Sequence, residues 1–99
     1  MEILSSDNDD TRTIRLSGRL DTLTAPELEG PLVEACESWQ ITVVDCEKLD
    51  YVSSAGLRVL LAGQKVASAK NHALRLINVS DGVREVFDIT GFSRILSIE

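Results

Sequence analysis

Two adjacent serines, Ser53 and Ser54, stand in the segment DYVSSAGLRVLL, where an apolar stretch gives way to a helical pattern. A hydroxyl at such a place can cap the helix, attack a substrate as a nucleophile, or be modified by another protein. A capping hydroxyl contributes about 1 kcal/mol to helix stability. A phosphate is favoured at the same place, because free N–H groups and the positive end of the helix dipole attract anions. The serine pair is therefore a candidate cap and a candidate phosphorylation site.

Nucleophilic catalysis by these serines would need a general base, and the sequence contains no evident candidate beyond one histidine. His72 is the only histidine and lies at a predicted helix end, and SSAG does not match the G-x-S-x-G nucleophile elbow. Cys36 and Cys46 are the only cysteines and lack metal-ligand spacing, so they are predicted to be buried thiols. There is no glycine-rich phosphate loop either. We predict that the chain is not an enzyme and has no catalytic residue, metal site or cofactor.

The composition describes an acidic globular chain of 99 residues, 43% hydrophobic and 26% charged, with a formal net charge of −6. The ten basic residues are scattered, whereas a surface that follows phosphates needs clustered positive charge. No apolar run is long enough to span a bilayer, and the start does not resemble a signal peptide. We expect one domain over residues 1–99 in the cytoplasm, with no nucleic-acid binding and no membrane insertion.

Alternating or β-branched segments predict strands at residues 2–5, 13–20, 41–46 and 74–79, and the segment ILSI near the C-terminus is a candidate edge strand. The first two strands are expected to form a hairpin. The run ITVVDC shows no alternation, which is typical of a strand covered on both faces.

Helical patterns fill the intervals between these strands. Thr24 and Glu27 fit a capping box at the start of the first helix. Pro31 conflicts with that helix, so either the helix kinks there or its regular part begins near Pro31. A second helix follows the serine pair and is expected to end near Asn71, and Ser80 is expected to cap a third. The order predicts an α/β fold: one small mixed sheet of four to five strands with helices packed against it.

This topology predicts a shared rim for four polar residues. The strand ending at residue 20 leads into Asp21 and Thr22, and the strand after Gln40 leads towards Ser53 and Ser54. If the two strands are parallel neighbours, all four residues lie beyond the same edge of the sheet. Phosphorylation there would add about −1.5 to −2 charges to an acidic rim and repel a docked partner. Gly56, one turn into the helix, would allow a partner's backbone to come close.

Three segments together carry a family resemblance: SGRLDTLTAPEL, DYVSSAGLRVLL and LINVSDGVREVFDITGFSRIL. In this order they resemble the motifs of STAS domains, most of all those of bacterial anti-sigma factor antagonists. The resemblance spans residues 15–99 and implies a compact α/β domain without catalysis of its own. It also implies binding to a kinase-type anti-sigma factor, phosphorylation by that kinase, and reversal by a metal-dependent serine phosphatase.

The resemblance also implies roles for individual residues. In the common motif D-S-S-G-L the first serine is the phosphorylated one, and it falls on Ser54. The motif's acidic residue falls on Ser53, its second serine on Ala55, and its glycine and leucine on Gly56 and Leu57. Asp21 also matches a family position near Ser54. Together with the predicted rim, this interpretation places partner binding around Ser54, at Asp21, Thr22, Ser53, Gly56, Leu57 and Arg58. The alternative is a constitutive STAS adaptor subunit of a transport or signalling complex, in which the serines only cap a helix.

Overall fold

Strands and helices alternate along the chain as the sequence predicts. The computed structural model describes all residues from 1 to 99. The elements are β1 (Glu2–Asn8), β2 (Thr11–Leu20), α1 (Ala25–Ser38), β3 (Ile41–Val52), α2 (Ser54–Ala69), β4 (Ala73–Ile77), α3 (Asp81–Thr90), a 3-10 turn (Phe92–Arg94) and β5 (Ser97–Ile98). The predicted α/β class, the initial hairpin and the small mixed sheet are confirmed.

The five strands form one sheet in chain order, β1-β2-β3-β4-β5. The first pair is antiparallel and the other three pairs are parallel. Alternate residues of the central strands, such as Ile14, Val44 and Leu76, are completely buried in the apolar core beside the helices. The opposite face carries more exposed side chains, including an ion pair between Arg15 Nε and Asp45 Oδ2 at 3.6 Å. The expectation that β3 is covered on both faces is therefore wrong, because only alternate residues of its first half are fully buried. None of the three helices has both the length and the apolarity needed to cross a membrane.

Strand β3 is longer than the predicted segment 41–46, because it continues to Val52. The sequence pattern missed this second half because two register shifts disturb its alternation. Against β2, the strand gains one residue between the Arg15 and Ser17 positions and another between the Gly18 and Arg19 positions. Such bulges leave extra residues unpaired and break the two-residue alternation. Beyond Cys46, the buried residues are Leu49 and Val52, three residues apart.

The structure shows where helix α1 begins and whether Thr24 caps it. Its regular part begins at Ala25 and runs through Pro31, so it does not begin near the proline. Pro31 is exposed, so water can reach the carbonyl that its missing N–H would have paired. The predicted capping box is wrong, because the Thr24 side chain makes no capping hydrogen bond. Its hydroxyl instead donates to the carbonyl of Arg19 at 2.6 Å and accepts from the N–H of Asp21 at 2.8 Å.

Candidate functional site: the sheet rim around Ser54

The ends of β2 and β3 bring the four predicted rim residues together. Leu20 and Val52 are paired in the parallel register, and the N–H of Ser53 donates to the carbonyl of Leu20 at 2.9 Å. The ends of the two strands therefore lie side by side: β2 leads into the Asp21–Thr24 loop, and β3 leads into α2. We call this edge, with Asp21, Thr22, Ser53 and Ser54, the rim.

The two serines have different structural roles. Ser53 is the N-cap of α2, with an extended backbone and a side-chain oxygen that accepts from the N–H of Gly56 at 3.3 Å. Ser54 is the first residue of the helix; it is exposed, and its hydroxyl makes no hydrogen bond. The cap is thus supplied by Ser53, and the hydroxyl of Ser54 is free to react.

His72 cannot serve Ser54 as a base, because it lies beyond the opposite end of α2. The sixteen residues of that helix span about 24 Å at 1.5 Å each. The Nδ1–H of His72 donates to the carbonyl of Cys36 at 2.9 Å, which ties the start of β4 to α1. Cys36 and Cys46 are buried, as predicted, and burial raises the pKa of their thiols to about 11 and about 12.

Asp21 organises the loop that follows β2. Its Oδ1 accepts from the N–H of Thr24 at 3.1 Å and from the N–H of Leu23 at 3.0 Å, and its Oδ2 lies 3.7 Å from Nε of Arg19. These contacts, led by the backbone N–H of Thr24, lower the pKa of Asp21 below its usual value. The guanidinium of Arg19 also stacks over the ring of Tyr51, 4.2 Å from its centre. The carboxylate of Asp21 is therefore engaged within the protein, and its role is to hold the loop in place.

Burial separates the other predicted partner-binding residues into two groups. Gly56 and Leu57 are buried, whereas Thr22 and Arg58 are exposed. A Cβ atom on Gly56 would lie 2.7 Å from Cγ and 2.9 Å from the carbonyl oxygen of Leu20. The glycine is thus needed for close packing of α2 on the end of β2, which corrects our interpretation that it makes room for a partner's backbone.

Leu23 is a surface feature that we did not predict. The sequence places it just before the helix cap, where an apolar side chain commonly packs against the fourth helical residue, here Leu28. Leu28 is completely buried, yet 85% of Leu23 is exposed, the most of any large apolar residue. Tyr51, 39% exposed, lies on β3 two residues before Ser53. Single exposed apolar residues are common on protein surfaces, so exposure alone assigns Leu23 no role; its place in the loop beside Asp21 and Thr22 makes it a candidate contact residue.

A shallow groove of about 210 Å³ runs between α1 and α2 next to Ser54. Ala55, Val59 and Ala62 line it, with Glu29 and Arg58 as its charged members. A second hollow of about 220 Å³ lies around Arg15 and Asp45, away from the serines. The Asp45 carboxylate accepts a hydrogen bond from the side-chain amide of Asn78 at 3.0 Å, so a structural role accounts for the charge of Asp45.

Comparison with known proteins identifies the family of the chain. The family model described as "Mlab, STAS domain" matches residues 3–97. The chain belongs to the STAS domain family. The resemblance to anti-sigma factor antagonists, predicted from the three motifs, is confirmed by the relatives that this STAS domain matches.

One relative is the putative anti-sigma factor antagonist BtrV of Bordetella bronchiseptica, 38% identical over 84% of this chain and 72% of its own length. Another is the anti-sigma-B factor antagonist of Bacillus subtilis, 29% identical over 92% of this chain and 84% of its own length. Among solved structures, the Bacillus cell fate determinant SpoIIAA in its phosphorylated form has a TM-score of 0.77 and 21% identity, and covers 99% of this chain and 91% of its own. That likeness supports the fold.

Proposed function

We propose that this STAS domain is an anti-sigma factor antagonist in a partner-switching pathway. Unphosphorylated, it binds a kinase-type anti-sigma factor and so frees a sigma factor. Phosphorylation of Ser54 by that kinase releases the complex, and a serine phosphatase restores the binding form. The proposal draws on the antagonist relatives for its partner class and on the free hydroxyl of Ser54 for its switch.

Docking in the unmodified state uses the exposed residues of the rim together with exposed side chains that neighbour it in the sequence. Leu23 and Tyr51 supply apolar contact area, while Thr22, Ser54 and Arg58 supply polar groups around it. A few residues, most often tryptophan, tyrosine and arginine, usually account for most of the binding free energy of an interface, which favours Tyr51 and Arg58 as the main contacts. Ser53, Gly56 and Leu57 support this surface from within, by capping α2 and packing it against β2.

The chemical step needs only an accessible hydroxyl from this chain. The Oγ of Ser54 attacks the γ-phosphorus of ATP held by the kinase, ADP leaves, and a base of the kinase takes the hydroxyl proton. Magnesium, also held by the kinase, neutralises the developing charge. The STAS domain performs no catalysis of its own; it presents its hydroxyl on a helix start that two contacts with Leu20 hold in place.

Release follows from the charge that the phosphate adds. A phosphoserine carries about −1.5 to −2 charges at neutral pH, on a protein whose formal net charge is already −6. Burying that charge in the docked interface costs free energy unless the partner pairs it. A 100-fold loss of affinity needs only about 2.7 kcal/mol.

A phosphorylation assay tests this function. The wild-type protein, Ser54→Ala and Ser53→Ala are incubated with the cognate kinase and ATP, and the phosphate is located by mass spectrometry. We expect one phosphate on Ser54 in the wild type and in Ser53→Ala, and none in Ser54→Ala. Phosphate confined to Ser53 would refute the assignment.

A binding assay tests the release step. Ser54→Asp places a negative charge on the rim, and Ser68→Asp places the same charge near the other end of α2. We expect Ser54→Asp to weaken kinase binding by at least ten-fold and Ser68→Asp to leave it within about two-fold. Equal affinities for the two variants would contradict a switch that depends on the position of the charge.

A constitutive adaptor remains the second candidate, because the cap formed by Ser53 stabilises α2 whether or not Ser54 is ever modified. In that case the purified complex from native cells contains a transport ATPase or another stable assembly. The cognate kinase would then incorporate no phosphate into the protein.

A further inference from the structure

We propose that Arg58 binds the phosphate on Ser54 within the same chain, so that phosphorylation also removes a cation from the docking surface. The inference rests on the proposed function only in taking Ser54 as the site of the phosphate. It assigns the modified state a second effect, beyond the added negative charge.

The spacing of the two residues brings them together. Ser54 is the first residue of α2 and Arg58 lies four residues later, so the two side chains are neighbours on one face of the helix, about 6 Å apart at Cβ. Both residues are exposed, and nothing in the core restrains the arginine. A guanidinium can hold two phosphate oxygens at once, and its long side chain easily spans one helical turn.

Arg58 is also more available than Arg19, the arginine at the end of β2. Arg19 is engaged on two sides, by Asp21 at 3.7 Å and by the ring of Tyr51 at 4.2 Å. Arg58 forms no ion pair, although Glu29 lies in the same groove. A phosphate with nearly two charges attracts a guanidinium more strongly than a single exposed carboxylate does.

Pairing of Arg58 with the phosphate changes the charge of the surface that a partner contacts. In the unmodified protein Arg58 is free to pair with an acidic group across the interface. Once it is folded back onto phosphoserine 54, that contact is lost at the same time as the negative charge appears. The two effects act in the same direction, towards release.

The titration of the phosphate itself tests this inference. Phosphoserine is incorporated at position 54 during translation, so that no kinase is needed, and the second protonation step is followed by ³¹P NMR. Pairing with Arg58 stabilises the dianion. We therefore expect the second acid dissociation constant to be about three-fold smaller in Arg58→Gln than in the protein with Arg58.

Lys65→Gln is the matched control, because it removes one positive charge from an exposed site on the same helix. It lies eleven residues from Ser54, about 16 Å along the axis and beyond the Debye length of about 8 Å at physiological salt. We expect this variant to titrate as the parent does. An identical titration in all three proteins would overturn the proposal. Absence of phosphate transfer by the kinase would instead count against the proposed function and would leave this measurement intact.

Discussion

Replacement of Gly56 by alanine tests how firmly the first turn of α2 is held against the sheet. The added Cβ would lie 2.7 Å from Cγ, 2.9 Å from the carbonyl oxygen and 3.0 Å from Cδ2 of Leu20. Leu20 is completely buried, and its carbonyl also accepts the N–H of Ser53. A change of side-chain rotamer cannot relieve the contact with the carbonyl, so the helix or the strand must move.

The expected change in the free energy of unfolding is the cost of the steric contact minus the gain from replacing glycine by alanine in a helix. Extra carbon atoms in a well-packed interior typically cost about 1–3 kcal/mol, and the backbone contact places this site in the upper half of that range. Alanine gains up to about 1 kcal/mol over glycine in a helix. We therefore expect Gly56→Ala to lower the free energy of unfolding by about 1.5 kcal/mol, which corresponds to roughly 6–12 °C in Tm for a domain of this size.

Gly82→Ala provides the control with the opposite sign. Gly82 is in the first turn of α3, and a Cβ there would meet no atom within 4 Å. This variant should raise the free energy of unfolding by about 0.5 kcal/mol. Urea unfolding followed by far-UV circular dichroism measures both changes, and equal m-values show that the denatured states are comparable. If Gly56→Ala proves as stable as Gly82→Ala, α2 is not clamped to β2 as described.

Three further predictions concern the rim. Ser53→Ala should lower the free energy of unfolding by about 1 kcal/mol, because it removes the cap of α2, whereas Ser54→Ala should change it by less than about 0.5 kcal/mol; urea unfolding separates the two. Hydrogen bonds from Thr24 and Leu23 lower the pKa of Asp21 in the folded state, so its stabilising contribution is present above about pH 4 and is lost as the pH falls through the folded pKa. Asp21→Asn should therefore flatten the acid side of the stability profile measured by urea unfolding, and an unchanged slope would refute the role of its carboxylate. Leu23→Ala should leave Tm unchanged and weaken kinase binding by about ten-fold in calorimetry, since its side chain touches almost nothing in the free protein.

The sequence predicted elements well where one periodicity held along the whole segment. Residues 13–20 alternate throughout, and β2 spans all of them. In β3 the residues ITVVDC do not alternate in polarity, although their burial does as far as Cys46, and the bulges make the next buried residues Leu49 and Val52. A spacing of three residues is not a strand signal, so the second half of β3 was predicted to be a connection.

Contacts between distant segments account for most of what the sequence did not predict at the site. The motif of Thr24 and Glu27 satisfies the capping-box pattern, yet the β2–α1 loop recruits the threonine hydroxyl. Gly56 was recognised as unusual in a helix, but the atom that excludes a side chain there belongs to Leu20, 36 positions earlier. No local pattern carries that information, whereas the strand order, once known, supplies it.

Whether the fold tolerates phosphorylation at the start of α2 depends on which of the two serines caps the helix. Were Ser54 the cap, a phosphate on it would compete with the hydrogen bond that starts α2, and modification would alter stability together with binding. Ser53 makes that hydrogen bond instead, and Asp21 is held by its own loop. A charge added to Ser54 therefore breaks no hydrogen bond of the domain. The added charge interacts with the electropositive start of α2, with Arg58 in this chain, and with whatever partner docks beside it.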